Sequence, residues 1–215
     1  MLNSSADKLA ETLAKYDLSL PPEHLVLLDR YRELLWAWNE KLNLTRHTTY
    51  EKFAARDVLD SMIFARFLDE GERVLDVGSG GGVPGVVLAI LRPDLQVSLS
   101  ESVGKRANVL KDIVSQLGLT TPVYAVRAEE VLKEQRFDTL VVRAVGKLRA
   151  LLEWFRPHWG AFGRLLILKG PSWLSERGEA RHYGLMQNLA MRKLYTYRLP
   201  DSGAESVLLQ IKPTE

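Results

Sequence analysis

The chain has no cysteine among its 215 residues. That excludes disulfides, thiolate metal sites and any mechanism that attacks a nucleobase through a cysteine adduct. No apolar run approaches the roughly 20 residues that span a bilayer. The opening segment, with Asn3, Ser4, Ser5 and Asp7, carries no signal-peptide core, so the expected location is the cytoplasm with no membrane partner. Charge of one sign is not in excess either. The 29 Lys and Arg against 27 Asp and Glu leave a formal charge of +2, compatible with RNA contact but too little for a protein that coats nucleic acid. Internal repeats and low-complexity tracts are also absent. What is present is a globular composition, 46% hydrophobic and 26% charged, sufficient for one substantial core.

Local periodicity divides the chain into two parts. From Pro22 to Leu42, Leu28, Tyr31, Leu35, Trp38 and Leu42 recur in steps of three and four, the stripe of an amphipathic helix. A shorter helix is expected around Ala6 to Tyr16, and another after Thr45–Thr49, running to Leu68 with Phe53, Leu59, Ile63 and Phe67 on its buried side. Residues 1–70 therefore read as a helical extension. From Gly71 the pattern changes to strands alternating with helices. The strands are Arg73–Val77, Gln96–Ser100, Val123–Val126, Thr139–Val142 and Arg164–Leu168, and the helices Pro84–Leu91, Lys105–Leu117, Ala128–Lys133 and Leu148–His158. Such alternation argues a parallel, doubly wound sheet, because each crossover must return the chain over one face. Ala190–Leu199 and Glu205–Ile211, joined by Pro200-Asp201-Ser202-Gly203, read as a terminal antiparallel hairpin. The expected fold of residues 71–215 is a Rossmann-like α/β unit, compact with its helical extension.

Asp76-Val77-Gly78-Ser79-Gly80-Gly81-Gly82 lies where the first strand turns into the first helix of that unit. Glycines there allow a tight turn and close approach of backbone N–H groups to a nucleotide-like ligand. The dinucleotide fingerprint fits poorly, because its third small residue falls on Val83. The frame Asp-x-Gly-x-Gly-x-Gly fits better and resembles the first motif of Rossmann-like methyltransferases, in which the acid helps to organise the methionine end of S-adenosylmethionine. Glu101, ending the second strand, occupies the place of a carboxylate that accepts hydrogen bonds from ribose hydroxyls. Arg127-Ala128-Glu129 follows the third strand, where that family meets the adenine edge.

Further motifs occur in a fixed order: Trp38-Asn39-x-x-x-Asn43-Leu44-Thr45, Arg56-x-x-Leu59-Asp60-Ser61, Gly104-Lys105-Arg106, Arg143-Ala144 and Leu168-Lys169-Gly170. Together with the glycine loop they resemble the bacterial 16S rRNA guanine-N7 methyltransferases called RsmG or GidB, from about Trp38 to Gly170. The resemblance implies a class I methyltransferase fold and transfer of a methyl group from S-adenosylmethionine to N7 of guanine 527 (usual 16S numbering). It implies cofactor contacts at Gly78, Val83, Ala128, Glu129 and Arg143, besides Asp76, Gly80, Gly82 and Glu101 read from the motif. The implied partner is 16S rRNA or the small ribosomal subunit; separately, a monomer is expected. Three positions depart from the family pattern: Asp57 stands where histidine is usual, Ser206 where an arginine is usual, and Glu101 where aspartate is commoner. The first two remove cationic or hydrogen-bonding groups from surfaces expected to face RNA.

The absent residue types suit this chemistry. Guanine N7 carries an in-plane lone pair and no proton, so displacement at a sulfonium methyl needs alignment and exclusion of water, and no general base. Methylation at pyrimidine C5 uses a cysteine nucleophile, which is missing. Exocyclic-amine methyltransferases carry an Asn/Asp-Pro-Pro-Tyr/Phe clamp where this chain has Arg143-Ala144-Val145-Gly146. Arg143 is assigned to positioning cofactor or acceptor, with an ion pair to an acid such as Glu129 as the alternative. Arg56 and Asp60, four apart on a helix, form either a surface pair or, for Arg56 together with Asn43 and Lys169, RNA contacts. Lys105, Arg106, Lys147, Arg149 and Lys169 are candidates for a phosphate-binding rim, with solvated surface as the alternative for each. Trp36 and Trp38 read as core before base-stacking residues. A small-molecule methyltransferase using the same cofactor cleft is the competing function.

Overall fold

A computed structural model describes residues 4–200 and 202–214; Asn3 and Asp201, used above, lie outside that range. The chain opens with α1 (Ser4–Ala14) and α2 (Pro22–Leu42). Proline suits the first turn of α2, where its missing N–H is not needed. Asn43 ends the helix in a left-handed conformation, φ 46°, its N–H donating to Asn39 O. The next helix is continuous but not uniform: α3 (Tyr50–Lys52) passes into a π-helical stretch, Phe53–Val58, and then α4 (Leu59–Ala65). It stops three residues short of the expected Leu68. Widened turns of this kind recur at functional sites, and this one contains Arg56 and Asp57.

The alternating unit comprises β1 (Arg73–Val77), α5 (Gly85–Leu91), β2 (Gln96–Ser100), α6 (Gly104–Gln116), β3 (Val123–Tyr124), α7 (Ala128–Glu134), β4 (Phe137–Arg143), α8 (Leu148–Phe155) and β5 (Phe162–Lys169). After α9 (Trp173–His182) come β6 (Leu189–Arg198) and β7 (Glu205–Pro213). The sheet order is β3-β2-β1-β4-β5-β7-β6. Strands β1 to β5 pair in parallel, while β7 is antiparallel to both β5 and β6. Strand β3 is shorter than expected: it ends at Tyr124, and beyond it the Val126 carbonyl accepts from Ser100 Oγ (2.9 Å) instead of a strand partner. Helix α8 ends at Phe155, before Pro157, and a 3₁₀ turn, Arg156–Ala161, replaces the expected continuation. Helix α9 has no counterpart among the expected elements.

The helical extension and one face of the sheet share a core. Leu9, Leu28, Tyr31 and Phe53 belong to the same buried cluster as Val86, Leu99 and Leu110. Trp36 and Trp38 are half-buried against that cluster, their indole N–H groups donating to His47 O (2.9 Å) and Asp112 Oδ2 (2.8 Å). They clamp α2 to its neighbours, the core role expected of them.

Candidate active site at the carboxyl edge of the sheet

The glycine loop is shaped by backbone that L side chains resist. Gly78, Gly80 and Gly82 have φ of 66°, 57° and 104°. A Cβ on Gly78 would stand 2.9 Å from Val145 Cγ2, so its absence lets the loops after β1 and β4 meet. Glu101 fastens the turn from the neighbouring strand: its Oε2 accepts from Gly80 N–H (2.9 Å) and its Oε1 from Val103 N–H (2.8 Å). Each carboxylate oxygen retains a further acceptor position. Asp76 lies behind the loop, 1% exposed, with Oδ2 accepting from Gly85 N–H (3.0 Å) and Oδ1 without a partner among the described residues. Burial pushes its carboxyl up to about 7.

Two clefts open beside this loop. The first, about 230 Å³, is lined by Gly78, Ser102, Ala128, Glu129 and Trp154, among others. Arg127 stands at its rim, paired with Glu129 (2.7 Å) and 5.0 Å from the centre of the Trp154 ring. The second, about 350 Å³, is lined by Arg56, Asp60, Arg143, Lys169, Glu205 and Ser206 with apolar neighbours. Val145 borders both. Along the sheet the first cleft spans β2, β1 and β4, and the second β4, β5 and β7.

A buried ionic network walls the second cleft. Arg143 donates to Asp57 Oδ1 (2.9 Å), to Asp60 Oδ2 (3.3 Å) and to Arg56 O (3.1 Å). Its acids are therefore Asp57 and Asp60, while Glu129 is paired with Arg127. Burial alone would lower the Arg143 pKa, but the two carboxylates outweigh it and hold the guanidinium above its ordinary value. Asp60 is 4% exposed and also accepts from Tyr197 Oη. Burial raises its carboxyl despite these partners, and burial likewise raises the Tyr197 phenol. Asp60 is thus not the surface partner of Arg56. Asp57, 1% exposed and also bonded to His47 Nδ1 (2.8 Å), is not at the surface: this departure from the family pattern sets a carboxylate against Arg143. Ser206 does line the open cleft.

Of the residues singled out from sequence, Gly78, Ala128 and Glu129 meet at the first cleft, and Arg56, Arg143 and Lys169 at the second. Gly80, Gly82, Val83, Asp76 and Glu101 form the loop and its support; Val83 is 8% exposed and packs in the core. Asn43 lines neither cleft; it is an exposed helix cap whose neighbour Leu44 packs beside Gly81. Lys169 is tethered, its Nζ donating to Gly146 O and Glu176 Oε2 (2.7 Å). Burial raises the Glu176 carboxyl, but Lys169 and the Leu148 N–H together hold it below its ordinary value. Sequence reasoning missed Trp154, Tyr197, His47 and Glu176. A signal existed for Trp154, a large aromatic off the buried Leu148, Leu151, Leu152 and Phe155 stripe of α8.

A sheet in this order with its antiparallel seventh strand, a glycine loop after β1 and an acid closing β2 defines the Rossmann-like methyltransferases. Solved structures agree at the level of fold. M. capricolum TrmK in complex with S-adenosyl-homocysteine superposes with a TM-score of 0.57 over 73% of this chain and 68% of its own, at 15% identity. An rRNA methylase from Streptococcus thermophilus does so with 0.51 over 73% and 95%, at 19% identity. The model of the family "GidB: rRNA small subunit methyltransferase G" matches residues 24–199. Ribosomal RNA small subunit methyltransferase G of Rhodopirellula baltica is 50% identical over 87% of this chain and 81% of its own length, and that of Salmonella agona 34% identical over 96% and 97%. The chain belongs to the GidB family of S-adenosylmethionine-dependent rRNA small-subunit methyltransferases.

Proposed function

We propose that this chain methylates N7 of a guanine in 16S rRNA, at position 527 in usual 16S numbering, acting as a cytoplasmic monomer on the small subunit or its RNA. The observation that carries the reading is the pair of clefts meeting at Val145. One is bounded by the glycine loop and Glu129, the other is cation-bearing and has room for a base. S-adenosylmethionine supplies an electrophilic methyl group when bound. The first cleft offers places for it: Gly78, Ala128 and Glu129 line it, and the glycine loop beside it rests on Asp76, with one buried oxygen that has no partner among the described residues, and on Glu101, with acceptor capacity left on both oxygens. Ala128 and Glu129 would border the adenine, and Gly80, Gly82 and Val83 shape the loop that holds the methionine end.

The acceptor side needs no proton acceptor, because N7 presents a bare lone pair. Asp60, already bonded to Arg143 and Tyr197, is not needed as a base. Arg143 acts by position: its charge is outweighed by Asp57 and Asp60, so the wall does not oppose the positive charge that N7 methylation places on the purine. Arg56 and Lys169 would orient the RNA backbone, and the apolar residues between them would limit water at the transfer once the base is seated. The test is incubation of small-subunit RNA from a strain lacking the gene with labelled S-adenosylmethionine, followed by nucleoside analysis. N7-methylguanosine at one site is expected; label in another nucleoside, or only in small molecules, rejects the assignment.

A further inference from the structure

The second cleft carries two carboxylates, Asp60 and Glu205, and they differ in availability. Asp60 is 4% exposed and each of its oxygens already takes a donor, from Tyr197 and from Arg143. Glu205, the first residue of β7, is exposed, and although its backbone pairs with β6 its carboxylate makes no hydrogen bond or ion pair with any described residue. Its directly opposed neighbour on β6, Arg198, turns instead to Gly203 O (3.3 Å). A free acid in a cleft that also holds Arg56, Arg143 and Lys169 opposes a polyanionic substrate, unless it meets hydrogen-bond donors there.

The sheet order says which donors. The cofactor cleft spans β2, β1 and β4, and Glu205 on β7 lies beyond β5 on the opposite side of the acceptor cleft. A guanine whose N7 is turned toward Val145 and whose plane runs along the sheet edge directs the far side of its six-membered ring, with the N2 amine and N1–H, toward β7. Among the RNA bases, guanine alone presents two adjacent donors on that edge, N1–H and the N2 amine, spaced for the two oxygens of one carboxylate. Enzymes acting on an extruded base read it by that edge. We propose that Glu205 is a specificity-determining residue that accepts hydrogen bonds from N1–H and the N2 amine of the target guanine. This rests on the N7 reading above and adds the group that selects the base.

The test compares small-subunit RNA carrying guanine or inosine at the target, the latter assembled by splint ligation and lacking only the N2 amine. Wild type, Glu205→Ala, Glu205→Gln and Glu205→Asp are assayed for kcat/KM, and S-adenosylhomocysteine affinity is measured by calorimetry as a control for folding. Wild type is expected to prefer guanine by about tenfold or more, the range of one hydrogen bond to a charged acceptor. Glu205→Ala should treat the two RNAs alike with unchanged cofactor affinity, and Glu205→Asp should recover part of the preference. An undiminished preference in Glu205→Ala, or none in wild type, overturns the proposal, as does loss of cofactor affinity alongside loss of preference. Nucleoside analysis of the wild-type product separates this from failure of the parent reading: methyl on an atom other than N7 removes the N7 assignment, and this one with it.

Discussion

Asp76 combines a full hydrogen bond on one oxygen with none on the other, and its burial has a measurable consequence. A carboxyl moved from about 3.8 to about 7 disfavours the charged form in the fold by roughly 4 kcal/mol, at about 1.36 kcal/mol per unit. The sign follows from proton counting. Between about pH 4 and 7 the folded chain holds a proton that the unfolded chain has released, so stability falls as pH rises through that window and levels off above it. Asp76→Asn is neutral and of the same shape, and its carbonyl oxygen can still accept from Gly85 N–H. The amide NH2 has no acceptor where Oδ1 lies, which costs about 1–3 kcal/mol. The variant should therefore gain about 1–3 kcal/mol over wild type at pH 8, and that advantage should vanish or reverse at pH 4.5. Urea unfolding at the two pH values, with m unchanged, measures it. Asp60, also raised by burial, adds to the pH slope of both proteins, so the difference between them isolates Asp76. If Asp76 faces the methionine end as proposed, the same variant should bind S-adenosylhomocysteine less tightly, since an amide offers the ligand's ammonium no negative charge. In wild type, binding below pH 7 should release a proton. A stability difference that is the same at both pH values would refute the reasoning.

Two further outcomes follow from the geometry. Arg143→Met strands Asp57 and Asp60 at 1% and 4% exposure and should cost about 3–5 kcal/mol near neutral pH, with part returned by adding Asp57→Asn; denaturant midpoints of the single and double variants decide this, and no recovery counts against the network. Gly78→Ala sets a Cβ 2.9 Å from Val145 Cγ2 at a φ of 66°, strain of about 1–2 kcal/mol; calorimetry should show cofactor affinity reduced about tenfold or more, and unchanged affinity would mean that the loop does not border the ligand.

Much of the fold was legible because it is written in short windows. The stripe of α2, the apolar run of β1 and the glycines after it each depend on residues within one or two turns of chain. The alternation of such segments fixes a parallel sheet through the geometry of crossovers. Asp76 and Glu101 could be assigned to the loop because their places in that alternation are local. Helix α9 was not legible: of its ten residues only Trp173 and Ala180 are buried, and Gly178 interrupts it, so no stripe exists to read. The π-helical stretch was likewise hidden, since its pattern passes for an ordinary helix. Asp57 shows the limit most clearly. From sequence it replaces a histidine on a surface thought to face RNA. In the structure it is buried against Arg143, 86 residues away along the chain. The tertiary structure alone decided that pairing, because insertion of β4 beside β1 carries Arg143 under α3–α4, and the same sheet order sets Glu205 across the second cleft from the glycine loop. Periodicity specifies which face of an element is buried; which charges meet depends on the order in which strands pair, and that is settled only when the whole sheet closes its core.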